Sequence, residues 1–192
     1  SRDEKVAAIG DGPIGYMTAL TTSYVGGVPR ENLYLIGIID EKLSLARDFS
    51  TTVNVIGEKR RLEGLWQSFD VVFEAVGGRR QEVTLDEAID LLKPGGRCVV
   101  LGLYGKKVPV DINKVVNKGL ALKGSVRSRM EHFKRVIEFL NDSGFSDKVK
   151  RMISERQFII KSPEDLEAAF RYADTEEGEA RTKPGRVLVY FP

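Results

Sequence analysis

The sequence has very few of the residues that hold metals or act as nucleophiles. Among its 192 residues there is one cysteine, Cys98, and one histidine, His132. A zinc site needs three or four convergent Cys, His or carboxylate ligands, and a Ser-His-Asp triad built on His132 would lack a nucleophile elbow. We therefore predict no metal site and no catalytic residue in the chain. A single cysteine forms no internal disulfide, which favours a reducing, cytoplasmic setting.

Long hydrophobic runs and an excess of one charge sign are also missing. Apolar runs such as residues 36–39 and 98–101 are far shorter than the ~20 residues of a membrane span. The charged start of the chain is unlike a secretory signal. Because 30 Lys+Arg face 28 Asp+Glu, basic clusters such as Arg79–Arg80 are predicted to be solvated faces; contact with an adenosine phosphate is the alternative for that pair. We expect neither a membrane nor a nucleic acid as partner.

The chain does contain a regular alternation of short apolar segments and helical patterns. Six segments have the composition of buried strands: residues 5–9, 33–39, 53–56, 70–76, 97–103 and 120–126. The helical patterns between and after them are residues 13–24, 42–49, 85–92 and 131–140. This alternation predicts an α/β fold, a doubly wound parallel six-stranded sheet of the Rossmann type.

The last part of the chain has a different character. Residues 158–160 and 187–191 predict two strands around a helix at residues 162–173, which gives a short C-terminal β-α-β tail outside the six-stranded sheet. We therefore assign residues 1–150 to a dinucleotide-binding domain and residues 151–192 to a separate C-terminal segment.

Three glycines after the first predicted strand form the pattern Gly10-x-Gly12-x-x-Gly15 and open a predicted helix. In dinucleotide-binding folds the first glycine permits a tight turn, the second admits the pyrophosphate and the third lets helix and strand pack closely. Proline suits the first helical turn, where no N–H partner is needed, and the remaining N–H groups can face phosphates. A glycine-rich packing turn is the alternative. The predicted cofactor-binding residues of this turn are Gly10, Asp11, Gly12, Pro13, Ile14 and Gly15.

The residue at the end of the second strand selects the dinucleotide, because an acidic side chain there bonds the ribose 2′-OH. Asp40 is acidic but lies farther from the motif than the usual ~20 residues, and it also suits a helix cap. Gly37 is closer, has no carboxylate to repel a 2′-phosphate, and has Lys42 nearby as a source of positive charge. We therefore predict NADP(H) in preference to NAD(H), with Gly37, Asp40 and Lys42 as candidate contacts.

Further turns follow the later strands. Because ligands of an open α/β sheet bind beyond the carboxyl ends of the strands, the residues of these turns are candidates for the same cleft, with ordinary loop turns as the alternative. The candidates are Val76, Gly77 and Gly78 after the fourth strand, Gly102 and Leu103 after the fifth, and Ser125 and Arg127 after the sixth.

Five stretches resemble successive landmarks of one family: "GDGPIGYMTAL", "FDVVFEAVGG", "IDLLKPGGRCVVLGL", "NKGLALKGSVRS" and the terminal "GRVLVYF". In this order they are similar to the nucleotide-binding domain of zinc-dependent medium-chain alcohol dehydrogenases. More narrowly, "LIGIIDEKLS" and "FEAVGGR" resemble the ribulose-5-phosphate reductases (ribitol-5-phosphate dehydrogenases), in which the corresponding strand end also has glycine and the cofactor is NADPH. The resemblance extends over nearly the whole chain.

The resemblance implies a two-domain enzyme whose catalytic half precedes this one and carries the zinc ligands. It implies that zinc lies only in that missing domain, that Arg186 contacts the pyrophosphate, and that the strand at residues 120–126 pairs with a second copy to form a homodimer. It also implies reduction of a sugar phosphate, ribulose 5-phosphate, to a polyol phosphate by the full-length enzyme, with this chain inactive alone. A stand-alone, non-catalytic NAD(P)-binding or sensing module is the alternative. A third hypothesis, methyl transfer from S-adenosylmethionine, fits the pyrophosphate-type turn at Pro13–Gly15 poorly.

Overall fold

A computed structural model describes residues 3–77, 81–174, 178, 182–183 and 185–192. They form two compact units, one extending to Ser128 and the other beginning at Arg129. The predicted boundary after residue 150 concerns the return of the chain to a catalytic domain and stays a prediction. No helix in the described ranges is long and apolar enough to cross a membrane.

The described residues of the first unit form six strands and five α-helices. The strands are β1 (Val6–Ile9), β2 (Leu33–Gly37), β3 (Thr51–Asn54), β4 (Phe69–Glu74), β5 (Leu92–Val100) and β6 (Ala121–Gly124). The helices are α1 (Pro13–Tyr24), α2 (Asp40–Ser44), α3 (Lys59–Glu63), α4 (Gln81–Leu91) and α5 (Ile112–Lys118). All strand pairs are parallel, in the order β3-β2-β1-β4-β5-β6. The predicted doubly wound Rossmann sheet is confirmed, and its order reverses beside β1, where such folds bind ligands.

The strand β1 is apolar along its whole length, and β2 and β4 are largely so, because helices cover both faces of the sheet. Ala7, Val53 and Val72 on three different strands are fully buried in one cluster. Tyr34 and Phe69 meet edge to face, with ring centroids 5.1 Å apart. The core therefore lies along the middle of the sheet, and the turns lie at the strand ends, outside the core.

Several elements differ from their predicted extents; α4, for example, begins at Gln81 rather than at residue 85, and β3 covers Thr51–Asn54 rather than residues 53–56. The predicted helix at residues 42–49 is the shorter α2, because Leu45, Ala46 and Phe49 donate to carbonyls three residues back and continue the chain as tight turns. The predicted strand at residues 97–103 is β5, which begins earlier and ends at Val100; its pairing with β4 shifts register before Arg97.

The helices α3 and α5 are not in the sequence prediction. The signals for α5 are nevertheless local: Asp111 accepts hydrogen bonds from the N–H groups of Asn113 and Lys114, and Gly119 ends the helix at φ +60°. An acidic N-cap and a left-handed C-terminal glycine are common helix boundaries.

The second unit contains α6 (Met130–Leu140), α7 (Ser143–Lys150), β7 (Ile153–Ile159), α8 (Pro163–Ala173) and β8 (Arg186–Tyr190). The strands β7 and β8 pair in parallel, so the predicted β-α-β tail is confirmed, with β7 longer than residues 158–160. A capping box starts α8, in which Asp165 N–H donates to the Ser162 hydroxyl at 3.3 Å and Ser162 N–H donates to the Asp165 carboxylate at 3.0 Å. The sequence prediction missed α7.

Candidate cofactor cleft

The turn from β1 to α1 needs glycine at two of its three motif positions. Gly10 has φ +121°, and a Cβ there would lie 3.1 Å from the carbonyl oxygen of Ala75. A Cβ on Gly15 would overlap the carbonyl oxygen of Gly10, so only glycine lets the helix start this close to the strand. Around Gly12 a Cβ would meet nothing within 4 Å. The space over Gly12 is therefore open to a ligand, as a pyrophosphate requires.

The N-terminus of α1 has the features of an anion site. Its N-cap, Gly12, has no side chain to cap the helix, Pro13 occupies the first turn, and no acidic residue lies there. The first intrahelical bond runs from Tyr16 N–H to the Gly12 carbonyl at 3.0 Å, so the N–H groups before it have no intrahelical acceptor. Together with the helix dipole, these donors favour a phosphate.

Asp11 connects this turn to the end of β2. Its Oδ2 accepts hydrogen bonds from Ile38 N–H at 2.7 Å and Ile39 N–H at 2.8 Å. Gly37 is the last residue of β2, as predicted, and a Cβ on it would lie 2.6 Å from the Cβ of Asp11. Gly37 is therefore required by the Asp11 side chain, whichever cofactor binds.

A cavity of about 190 Å³ opens between these turns. It is lined by Ile9, Gly10, Asp11, Gly12, Ile36, Gly37, Ile38, Val55, Ala75, Val76, Gly77, Thr84 and Glu87. The predicted residues of three separate turns thus meet at one edge of the sheet. Thr84 and Glu87 come from α4 and were missed, because nothing in the local sequence marks that face of the helix.

Beside the cavity a buried carboxylate holds three segments together. Glu74, at the end of β4, has no solvent exposure. Its Oε1 accepts from Val76 N–H and from the Thr84 hydroxyl, both at 3.0 Å, and its Oε2 accepts from the Tyr104 hydroxyl at 2.7 Å. A Cβ on Gly102 would lie 2.9 Å from Glu74 Oε2, so this glycine gives the carboxylate room. The sequence signal is an acidic residue near the carboxyl end of a largely apolar segment.

The protonation of Tyr104 follows from this environment. Burial, and then the hydrogen bond to Glu74, hold the pKa of the Tyr104 hydroxyl well above its usual value. The hydroxyl therefore stays a proton donor to the carboxylate, and the loop after β5 is tied to the end of β4.

The remaining predicted contacts lie away from the cavity lining. Asp40 starts α2, beside Arg30 and Arg47 in a separate polar groove, and Lys42 lies within the same helix. Leu103 is 90% exposed. Among the described residues of the first unit, the predicted positions that do not line the cavity shared by Gly12 and Gly37 are Pro13, Ile14, Gly15, Asp40, Lys42, Gly102, Leu103, Ser125 and Arg127.

Arg186 begins β8 in the second unit, where its N–H donates to the Met152 carbonyl at 2.6 Å, and its contact with a pyrophosphate stays a prediction. Gly78 and the pair Arg79–Arg80 lie outside the described residues.

The lone cysteine and histidine have structural roles. Cys98 is buried on β5, and burial raises the pKa of its thiol to about 12. Nδ1 of His132 accepts from Arg129 N–H at 3.1 Å at the start of α6. Within the part of the chain that the structure describes, no three His, Cys, Asp or Glu side chains come together as a metal site. Zinc therefore does not fit these residues.

Comparison with protein families gives a match over most of the first unit and the start of the second. The family described as "Zinc-binding dehydrogenase" matches residues 13–142. The chain belongs to the zinc-binding dehydrogenase family. The family resemblance inferred from the sequence motifs is thereby confirmed.

Individual members of the family agree with this assignment. The chain is 34% identical over 181 residues to ribulose-5-phosphate reductase 1 of Staphylococcus aureus, covering 94% of this chain and 49% of that protein. It is 28% identical over 156 residues to the ribulose-5-phosphate reductase of Streptococcus pneumoniae, covering 80% and 42%. The chain thus spans about half the length of these curated relatives.

A solved structure extends the comparison to the fold. The crystal structure of S. aureus TarJ in complex with NADPH superimposes with a TM-score of 0.82 at 26% identity, covering 100% of this chain and 56% of that one. The similarity therefore includes both units of the chain and a relative that binds NADPH.

Proposed function

We propose that this chain is the NADP(H)-binding domain of a zinc-dependent dehydrogenase that, as a longer protein, reduces ribulose 5-phosphate to a polyol phosphate. The observation that carries the proposal is the open space over Gly12 at the uncapped N-terminus of α1, beside a cavity that reaches the end of β2. The ribulose-5-phosphate reductases among the relatives support the substrate.

The described residues fit a dinucleotide in its usual place. The donors at the start of α1 suit the pyrophosphate, and the mostly apolar cavity suits an adenosine. Thr84 and Glu87 on α4 and Val55 after β3 also line it. When bound, the cofactor supplies a hydride, while the protein holds and orients it.

The preference for NADP(H) has two supports. Gly37 puts no acidic side chain of its own at the end of β2, where a carboxylate would favour a ribose 2′-OH. The relative of similar fold, TarJ, binds NADPH. Lys42 and Arg186 are proposed as cationic contacts, and Gly78, Gly102, Leu103, Ser125 and Arg127 as cleft positions.

We propose two properties of the assembly as well. The edge strand β6 pairs with β6 of a second copy, since an edge strand exposes unpaired backbone groups. Zinc is held by a domain outside this chain. A cytoplasmic setting agrees with a single, buried cysteine.

Two experiments test the proposal. Titration of the chain with NADPH, NADH and S-adenosylmethionine is expected to show binding of NADPH, weaker binding of NADH and none of S-adenosylmethionine. The longer protein that contains this chain is expected to oxidise NADPH when ribulose 5-phosphate is added, and the chain alone is expected to bind NADPH without turnover. Binding of S-adenosylmethionine alone would overturn the assignment. If the longer protein binds NADPH but does not oxidise it with any ketose phosphate, the result would favour the sensing module.

A further inference from the structure

The end of β2 has a carboxylate beside it although residue 37 is glycine. A Cβ on Gly37 would lie 2.7 Å from Oδ2 and 2.8 Å from Cγ of Asp11. The Asp11 carboxylate therefore occupies the space into which a side chain at position 37 would extend. In doubly wound folds, that space belongs to the acidic residue that bonds the adenosine ribose.

The hydrogen bonds of Asp11 fix the carboxylate in this position. Oδ2 accepts from two successive N–H groups, those of Ile38 and Ile39. Successive backbone N–H groups form an anion-binding concavity, and here the anion is a side chain of the protein itself. A 2′-phosphate that approached these two donors would meet a carboxylate already bound to them.

Asp11 also borders the space that a ligand would enter. Its side chain is half-buried and lines the same cavity as Gly12 and Val76. Only Oδ2 is engaged by Ile38 and Ile39, which leaves Oδ1 acceptor capacity toward a hydroxyl. Asp40, the other acidic candidate, is exposed and does not line this cavity.

We propose that Asp11 is a specificity-determining residue of the cofactor cleft: its carboxylate, not a side chain at position 37, accepts from the adenosine ribose hydroxyls and opposes a 2′-phosphate. The inference rests on the proposed dinucleotide function. It implies that Gly37 favours NADPH, because it adds no acidic side chain, whereas the Asp11 carboxylate disfavours it. The preference for NADPH over NADH is therefore smaller than Gly37 alone would produce.

The Asp11→Asn variant isolates the charge. The amide oxygen of asparagine still accepts from Ile38 and Ile39 N–H, so the turn keeps its geometry, while the negative charge is lost. Dissociation constants for NADPH and NADH are measured by titration for the wild type and the variant. We expect the NADPH preference, the ratio of the NADH to the NADPH constant, to rise about tenfold, equivalent to about 1.4 kcal/mol.

Two further variants keep the test decisive. Glu31→Gln removes the same charge from an exposed residue just before β2, at the opposite edge of the sheet, and is expected to leave the ratio unchanged. If Asp11→Asn does not fold, Asp11→Ser, whose hydroxyl also accepts a backbone N–H, takes its place. A ratio that stays constant or falls on loss of the Asp11 charge overturns the inference. A wild-type chain that binds neither dinucleotide contradicts the proposed function instead.

Discussion

The Tyr104 hydroxyl donates a 2.7 Å hydrogen bond to Oε2 of Glu74, a carboxylate with no solvent exposure at the end of β4. This bond joins the loops after β4 and β5, and Thr84 adds α4 to the same group. A buried charge is tolerated only where hydrogen bonds satisfy it. The cleft edge is therefore held by one carboxylate with three donors.

We predict that Glu74→Gln lowers the free energy of unfolding by about 1–3 kcal/mol, because three hydrogen bonds to a buried carboxylate become weaker bonds to a neutral amide. Denaturant unfolding measures the change. Glu63→Gln, at the exposed end of α3, is the matched control and is expected to change stability by less than about 0.5 kcal/mol. Equal effects of the two variants would show that the three donors do not depend on the charge of Glu74.

Stability is expected to fall at alkaline pH through Tyr104. Its pKa is raised in the folded protein by burial and by Glu74, whereas in the unfolded chain a tyrosine ionises near pH 10. The folded state thus holds the Tyr104 proton more tightly than the unfolded chain does. The contribution of Tyr104 to the free energy of unfolding is therefore complete below about pH 10 and is lost as the pH rises above it.

The measurement is the free energy of unfolding as a function of pH between about 8 and 11, a range chosen around the usual tyrosine pKa. Tyr104→Phe is expected to reduce the decline above pH 10. Tyr190→Phe, on the exposed part of β8, is expected to retain it. An identical decline in wild type and Tyr104→Phe would contradict the role given to this hydroxyl.

Gly37→Ala is predicted to destabilise the first unit by about 1–3 kcal/mol, the usual range for overpacking, because its Cβ collides with Asp11. In an Asp11→Gly background the same substitution is expected to cost less, since the Cβ, Cγ and Oδ2 atoms of Asp11 that it collides with are all gone. The double-mutant cycle, measured by denaturant unfolding, gives the coupling energy. Additive effects would mean that Gly37 is required for another reason.

The proposed dimer can be tested at β6. Ser125 N–H donates to the Val100 carbonyl at 3.0 Å, and backbone groups of a strand alternate in direction, so Lys123 also faces β5 and Leu122 faces the open edge. Leu122→Pro removes an outward N–H that β5 does not use.

We expect gel filtration of the wild-type chain to show a dimer and Leu122→Pro to show a monomer, whereas Leu122→Ala, which keeps the N–H group, stays dimeric. Circular dichroism checks that the sheet is retained. A wild-type chain that elutes as a monomer at every concentration would exclude pairing through β6.

The sequence predicts best what depends on neighbouring residues. Gly10, Gly12 and Gly15 lie within one turn, and the alternation of strands and helices around them is sufficient to indicate the sheet. Asp11 and Gly37 are different, because their contact joins positions 26 residues apart and exists only once β1 and β2 are paired. For the same reason the partners of Glu74 on α4 and after β5 were not predicted. The glycine at the end of β2 was attributed to the cofactor, whereas its neighbour Asp11 already requires it.

The most direct test of the account is calorimetric titration of NADPH into wild type, Gly12→Ala and Gly64→Ala. A Cβ on Gly12 meets no protein atom within 4 Å, and one on Gly64 makes only ordinary contacts at 3.5 Å, so both variants are expected to fold. The account predicts that Gly12→Ala weakens NADPH binding at least about tenfold, about 1.4 kcal/mol, because the new methyl group occupies the pyrophosphate space, while Gly64→Ala binds as the wild type does. Unchanged NADPH binding in Gly12→Ala would contradict the central claim that this turn holds the dinucleotide.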